Sequence, residues 1–520
     1  MHLFNSNMLL ALLMWAVGEA GARPVVPELM VDPQPAMATD ATAPAVLRLS
    51  IQDALQGALT RAVVIQTQQL DVEQQQLQTE QARHEFLPQA VLSSQWERER
   101  TSATGAAATR GAIASGNLLS TWKLRSGTQL SLSEGRQYNR DGQAVPMAGP
   151  DATGTPNNNS RTSSLSLSLT QPLLRGAGGD VVLLNEHRAA LALESARKGF
   201  LQTQRDVVLG GVVAYFGLEQ AQQNVALAQA ALKRAAEARS INEELLAAGR
   251  ISRIALLQSD ADAAQTELAL MQSRQAENVA RRQLLRVIGR YDLDADRTAV
   301  TLADSFISYL PMPSQGVGAA MQAALARRVD LELAADAVKA GQFGVIEADD
   351  GLRNQLDFYV RRDQSSDNGA GPTTRRSNIA VGLNYSIPLD KSAARVASSA
   401  ARIALRKAEL SRADLKRNAR AEVSDALKNI EFAALQYRMA QRTAELARQR
   451  LAAEIEKTRA GRSSATDLSL AQDALNQTLS QETQAHFAIF MAQLELQRVS
   501  GTVLEQWHVA SLAQDTGLPP

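Results

Sequence analysis

The chain holds one structural unit twice, and an internal repeat constrains architecture more than any single motif. Ala54-Leu55-Gln56-Gly57-Ala58-Leu59-Thr60-Arg61 lies over Ala320-Met321-Gln322-Ala323-Ala324-Leu325-Ala326-Arg327 at an offset of 266, which also places Gln89 on Gln355. Leu167-Ser168-Leu169-Thr170-Gln171-Pro172-Leu173 then matches Leu383-Asn384-Tyr385-Ser386-Ile387-Pro388-Leu389 at an offset of 216. Ala248-Gly249-Arg250 and Arg286-Val287-Ile288-Gly289 match Ala460-Gly461-Arg462 and Arg498-Val499-Ser500-Gly501 at 212. The anchors keep their order, and the drop of 50 falls between the strands, where the first copy holds an insertion. The expected division is a first repeat at 47–290, a linker at 291–315, a second repeat at 316–502 and a tail at 503–520.

Each copy reads as helix, strand, loop, strand, long helix, turn, long helix. The strands alternate with period two. Leu165, Leu167 and Leu169 interleave with serines, and Ile379, Val381, Leu383, Tyr385 and Ile387 with smaller or polar residues. Ala90, Leu92 and Trp96 share a face after Pro88, as do Leu356, Phe358 and Val360 in the second copy. The loops at 149–161 and 365–376 are rich in Gly, Asn, Ser and Thr. From Val181 to Ala247 only tolerated glycines interrupt the helical pattern, which at 1.5 Å per residue makes a rod of roughly 100 Å. Val423, Leu427, Ile430, Ala434, Tyr437, Gln441 and Ala444 step by four and three, and Leu218, Val225 and Leu232 by seven. That period packs helices side by side along their length. In the first copy, 117–124 and 128–138 flank Arg125-Ser126-Gly127 as an additional hairpin. It either extends the sheet or sits outside it, and sequence alone does not decide.

Composition removes whole classes of function. Lys plus Arg and Asp plus Glu balance at 54 each, so no net charge points to nucleic acid as partner. There are no cysteines, which excludes disulfides, thiolate metal sites and a cysteine nucleophile. The five histidines have no metal-ligand spacing, and no phosphate-binding loop or serine elbow occurs. Neither cofactor nor catalysis is expected. An apolar run from Met8 to Val17 precedes Ala20-Gly21-Ala22, so residues 1–22 read as a signal peptide and 23–46 as a Pro- and Ala-rich leader. The run is too short to span a bilayer as a helix, and no other stretch qualifies. A membrane span would therefore be built from strands closed into a barrel. Strands of about ten residues suit an outer membrane. Two or three pairs per chain are too few for a comfortable single-chain barrel, so oligomerisation would close the edges. The long helices bear charges throughout and belong in water. A tube through a membrane continuing into a helical tube uses every feature.

The residues also resemble a known family. Leu49-Ser50-Ile51-Gln52-Asp53-Ala54-Leu55, Gln81-Ala82-Arg83 and Leu87-Pro88 are similar to the opening of TolC-like outer membrane efflux proteins. Leu167 to Gly176 resembles the family's strand-to-helix junction. Ala214-Tyr215-Phe216, Ala248-Gly249-Arg250-Ile251-Ser252, Arg328-Val329-Asp330-Leu331, Ser386-Ile387-Pro388-Leu389 and Ala460 to Leu468 continue the likeness over residues 47 to 502. The resemblance implies a mainly α fold with a transmembrane β-barrel portion: a homotrimer in the outer membrane, four strands per chain in a twelve-stranded barrel, and a long coiled-coil α-helical barrel in the periplasm. It implies as partners a periplasmic adaptor (membrane fusion) protein and an inner-membrane transporter of RND, ABC or similar type. The hairpin at 117–138 departs from that pattern. The resemblance places the turns at Gly249 and Gly461 at the periplasmic tips, where adaptors dock; Arg250 and Arg462 beside them are either adaptor contacts or simply solvated cations, and Ser252 and Ser464 are expected N-caps. Asp467 matches a pore-lining aspartate of the family's gate, where a ring of three carboxylates would favour cations; equally, it stands where a helix dipole favours a carboxylate. Ala255 occupies the matching place in the first copy, and Leu470 stands where some members have a further acid. The competing readings are an exported coiled-coil adaptor or structural protein without a barrel, and a cell-wall hydrolase with a coiled-coil arm. The alternating strands speak against the first, and the missing catalytic constellation against the second.

Overall fold

The two copies fold alike, element by element. The computed structural model describes residues 46–101, 109–142, 158–291, 293, 298–309, 316–369, 372–460 and 462–509. The expected signal peptide, nearly all of the leader, Gly461 and parts of the linker and tail lie outside the described residues. After strand β1 (Val46–Leu49), the first copy comprises α1 (Ile51–Arg61), α2 (Val63–His84), β2 (Gln89–Thr101), β3 (Thr109–Lys123), β4 (Gln129–Gly142), β5 (Asn158–Pro172), a single turn α3 (Gly179–Val182), the rod α4 (Leu184–Ala247) and its return α5 (Arg253–Val287). Strand β6 (Ala299–Leu302) and a 3-10 turn (Phe306–Tyr309) follow. The second copy comprises α6 (Val317–Arg327), α7 (Val329–Asp350), β7 (Gln355–Asn368), β8 (Thr374–Ser386), the rod α8 (Ser392–Arg459), its return α9 (Ala465–Ser500) and a last turn α10 (Val503–Gln506). Matching helices have 11 and 11, 22 and 22, 64 and 68, and 35 and 36 residues. A shared scaffold explains that agreement; convergent packing would not fix lengths so closely.

Local chemistry sets the element ends. Ser50 and Asp53 form a reciprocal capping box that starts α1. Pro88 follows the end of α2, since a residue before proline leaves the helical region. Pro172 closes β5, where a missing N–H costs least. At Ala62 and Arg328 the backbone turns extended for one residue, splitting each entry helix into its 11- and 22-residue parts. α4 begins at Leu184, three residues later than the sequence pattern indicates, because Gly178 has φ +99° and α3 spends one turn on its own.

The rods α4 and α8 run the whole length, and each is flanked in two stages. Near the sheet α2 packs on α4 and α7 on α8; beyond, α5 packs on α4 and α9 on α8. Every level of the bundle thus presents four helices. At α4's midpoint lies the main apolar core. Tyr215, Phe216 and Leu218 are fully buried there among Leu49, Ile51, Leu55, Leu284, Phe306, Phe490 and Trp507. The Tyr215 hydroxyl donates to the Leu49 carbonyl (2.9 Å) and accepts from the Asp304 amide (3.1 Å), and burial pushes its pKa up to about 12. β1 and β6 pair in parallel in this belt, joining the start of the chain to the segment between the copies.

The remaining strands form one antiparallel sheet in the order β2-β3-β4-β5-β7-β8. The additional hairpin, β3 with β4, is an integral part of it: β3 pairs along all of β2, and β4 along β5. The turn at 125–127 is closed by Gly127, at φ +87°, whose amide donates to Leu124. β2 and β8 are the free edges.

Candidate functional site

The pairing registers sort the sheet's side chains onto two faces. One holds Leu92 and Trp96 of β2, Leu118 and Trp122 of β3, Leu130 and Leu132 of β4, Leu165, Leu167 and Leu169 of β5, Phe358 and Val360 of β7, and Ile379, Val381 and Leu383 of β8. Most of these are exposed: Leu92 by 77%, Trp96 by 70% and Ile379 by 66%. A continuous exposed apolar face of that size requires an apolar neighbour. The opposite face is mostly Ser, Thr, Asn, Gln and charged residues, with Val91, Ile113, Leu119 and Tyr359 set among them. Ser131 and Ser168 share a hydrogen bond (2.5 Å), and the Ser166 hydroxyl donates to Asp363 (2.7 Å). Tyr359 of β7 lies over Gly382 of β8, filling space that any side chain there would need. A sheet that is apolar on one side and hydroxyl-rich on the other is suited to hydrocarbon outside and water inside. No described helix is long and apolar enough to cross a membrane.

At the other end of the rods lie the two expected turns, side by side. Ala238 of α4 packs with Leu451 of α8 and Leu468, Ala471 and Leu475 of α9, which holds the two hairpins together. Arg234 of α4 reinforces the contact, donating to Asn476 (2.7 Å) and accepting from Gln472 through its carbonyl (3.3 Å). In the first turn, Gly249 takes φ +69°, and the Arg250 amide donates to the Leu245 carbonyl (2.8 Å). This closes the helix end as glycine-terminated helices do. In the second, the Arg462 amide reaches the Lys457 carbonyl at the same 2.8 Å, while Gly461 itself lies outside the described residues. Arg250 and Arg462 are exposed. Ser252 caps α5 by accepting from the Ala255 amide (3.4 Å). Ser464 caps α9 more completely: its hydroxyl accepts from the Asp467 amide (3.1 Å) and donates to the Asp467 carboxylate (2.6 Å). Those bonds hold the Asp467 carboxyl below the usual carboxylate range. Asp467 therefore starts its helix and remains an exposed anion. Nearby, Glu454 accepts from Ser463 and from Lys457, and the Ser463 hydroxyl contributes most to lowering its pKa.

Two features of the tips escape sequence reasoning. Ile254 and Leu257, in the first turns of α5, are 77% and 60% exposed. Their apolar character at solvent positions was visible in principle once α5's buried side had been fixed. Asp473 of α9 is raised by burial and then by the negative charge of Asp262 across the hairpins. That proximity joins residues more than two hundred positions apart, and no local pattern encodes it.

Comparison with known proteins agrees with this geometry. Residues 320–502 match the family described as outer membrane efflux protein. Among solved structures the chain is similar to the CmeC outer membrane channel of Campylobacter jejuni, with TM-score 0.66 and 14% identity over 89% of this chain and 88% of that one. It is similar to CusC, with TM-score 0.66 and 14% identity over 90% and 96%. It is also similar to the outer membrane protein VceC from Vibrio cholerae, with TM-score 0.62 and 15% identity over 87% and 96%. At these identities the likeness is one of fold. No match was found among curated proteins. The family match falls on the second copy. With its amphipathic sheet and its long helical rods, the chain has the fold of the outer-membrane channels it is similar to, and its residues 320–502 match the outer membrane efflux protein family.

Proposed function

We propose that three copies of this chain form the exit duct of a tripartite efflux or type I secretion system, fed by a periplasmic adaptor and an inner-membrane transporter of RND, ABC or similar type. One observation supports the reading above the others: an open sheet with one apolar and one polar face continues into charged helical rods of about 100 Å. An open sheet in lipid is untenable, because its edges would leave backbone groups unpaired. A symmetric ring of copies pairs every edge. The rods then enclose a water-filled tunnel whose far end carries Gly249, Arg250, Ser252, Gly461, Arg462 and Ser464 as adaptor contacts. Three copies of Asp467 would stand near that end as a carboxylate ring; since Ser464 stabilises the charged form, the ring stays anionic at neutral pH.

Density-gradient fractionation of membranes, followed by native mass measurement, tests the duct. Banding with the outer membrane at trimer mass supports it, and a soluble periplasmic monomer overturns it. For the gate, Asp467→Asn in planar bilayers should lower cation over anion selectivity; unchanged selectivity would reduce Asp467 to a helix cap. For the adaptor, a photo-crosslinker at Arg250→Cys or Arg462→Cys should capture a periplasmic protein with a helical hairpin, whereas one placed at Arg420→Cys, mid-rod, should not.

A further inference from the structure

We propose that the three chains close an eighteen-stranded barrel, through edge-to-edge pairing of β8 with β2 of the next copy, so that the exit is as wide as the tunnel beneath it. The inference rests on the trimeric duct reading and goes beyond it, because that resemblance implies four strands per chain and twelve in all. Here β3 and β4 stand between β2 and β5, fully paired on both sides, and six strands per chain form one sheet.

The edges fit one another. β2 runs away from the helices and β8 returns toward them, so the junction is antiparallel like every other in the sheet. Both edge strands have 13 residues. The apolar face also slants across the sheet. Followed through the registers, Ile379 of β8 stands level with Ala90 of β2. On β8 the apolar band runs from Ile379 toward the helices; on β2 it runs from Ala90 away from them. The band moves by roughly six residues over the sheet, about one per strand step, which at the ordinary rise and strand spacing is a tilt of about 35–40°. Membrane barrels tilt by that amount. Continuing the slant across the junction, and keeping apolar residues on one face, sets Leu383 opposite Leu92, or at most one pair further along, opposite Ser94.

Circumference gives an independent argument. Four helices per chain at every level make twelve in the tunnel wall, and at ordinary interaxial distances these enclose roughly 95–120 Å. Eighteen tilted strands enclose roughly 105–120 Å, and twelve only roughly 70–80 Å. With six strands per chain, the barrel and the tunnel meet without a taper. Cargo size is then limited at the helix tips and not at the exit.

The absence of native cysteine makes the test direct. Double-cysteine chains are oxidised in outer membranes and read on non-reducing gels and by loss of free thiols. Leu92→Cys with Leu118→Cys should form a disulfide within one chain. Leu92→Cys with Leu383→Cys, or Ser94→Cys with Leu383→Cys, should give covalent trimers. Leu92→Cys with Leu165→Cys should stay reduced, because β3 and β4 separate them. Cross-linking of Leu92 to Leu165 in trimers would place the hairpin outside a twelve-stranded barrel and overturn the proposal. So would trimers in which neither edge pair cross-links. If the cysteine-free protein is not trimeric by native mass, the duct reading itself fails and this proposal with it. Cysteine is smaller than the leucines it replaces, Leu92, Ser94, Leu165 and Leu383 are exposed and Leu118 half-buried, and outer-membrane banding of each variant confirms folding before oxidation.

Discussion

The two copies share a skeleton and differ in what covers it. At the midpoint of α4, Tyr215 and Phe216 are fully buried, and Phe216 packs edge-on against Phe490 at 4.9 Å between ring centres. The matching positions of α8 are Leu427, half-buried, and Lys428, exposed. Around α4 the chain has wrapped β1, β6, the 3-10 turn and α10. Around α8 the matching cluster is smaller: Ala320 and Ala324 pack with Val423, Ala426, Ile430, Leu496 and Val499. The tips differ in the reverse sense. The first hairpin is joined near its turn by polar groups, Asn242 donating to Ser259 at 2.6 Å. The second uses Leu451, Leu468 and Ala471 and adds a full capping box. Duplication thus preserved helix length and strand register, the properties a tube needs in every wall segment, and left the local fastenings free to diverge.

That contrast makes definite predictions. Phe216→Ala should cost about 3–5 kcal/mol through the cavity it leaves, and Lys428→Ala no more than about 0.5 kcal/mol. Thermal melts followed by helical circular dichroism in detergent would show it, and equal shifts would break the comparison. In the sheet the copies should respond alike. Leu167→Arg and Leu383→Arg occupy matching places on the apolar face, and each should cost about 2–4 kcal/mol near the bilayer middle and lower outer-membrane yield. Ser166→Arg, one residue away on the polar face, should leave the yield intact. At the tips, Ser464→Ala should cost about 1 kcal/mol and Ser252→Ala less, since Ser464 alone forms the reciprocal box; hydrogen exchange of the first turns of α9 and α5 reads the difference. The smallest effect is one of pH. Because the folded-state pKa of Asp467 is depressed, its contribution is full above the ordinary carboxylate pKa of about 4 and fades as pH falls through the lowered value. Amide protection should drop on acidification in the first turn of α9 and stay constant in that of α5.

Much of this was legible in the sequence, for physical reasons. Leu165, Leu167 and Leu169 alternate with serines because a strand exposes one face to each phase, and the structure puts all three on the apolar side. Gly249 and the serine three residues later encode a turn between helices. The heptad through Val423, Ile430 and Ala444 is buried as expected, while Gln441 in the same series is exposed. The place of the additional hairpin was illegible. Leu92 points the same way whether β2 pairs with β3 or with β5, so alternation cannot choose between partners. The breaks at Ala62 and Arg328 lack the glycine or proline that would announce them. The four-residue pair of β1 with β6 is too short for any period to register.

That short pair has a consequence for how the chain is made. The belt around Tyr215 gathers residues from near 50, from 284–306 and from 490–507. The Ile51 amide is held by the Asp304 carboxylate at 2.8 Å, and the Gln52 side chain by the Trp507 carbonyl at 3.1 Å. The first helix therefore receives its final partners only after the last one has emerged. A chain cut short before Trp507 strips Phe216 of at least one aromatic partner and exposes apolar surface, a flag of the kind on which holding chaperones and proteases act. Closure of the belt then marks a finished protomer, and truncation before Trp507 should appear as rapid turnover in the cell before any loss of transport is seen.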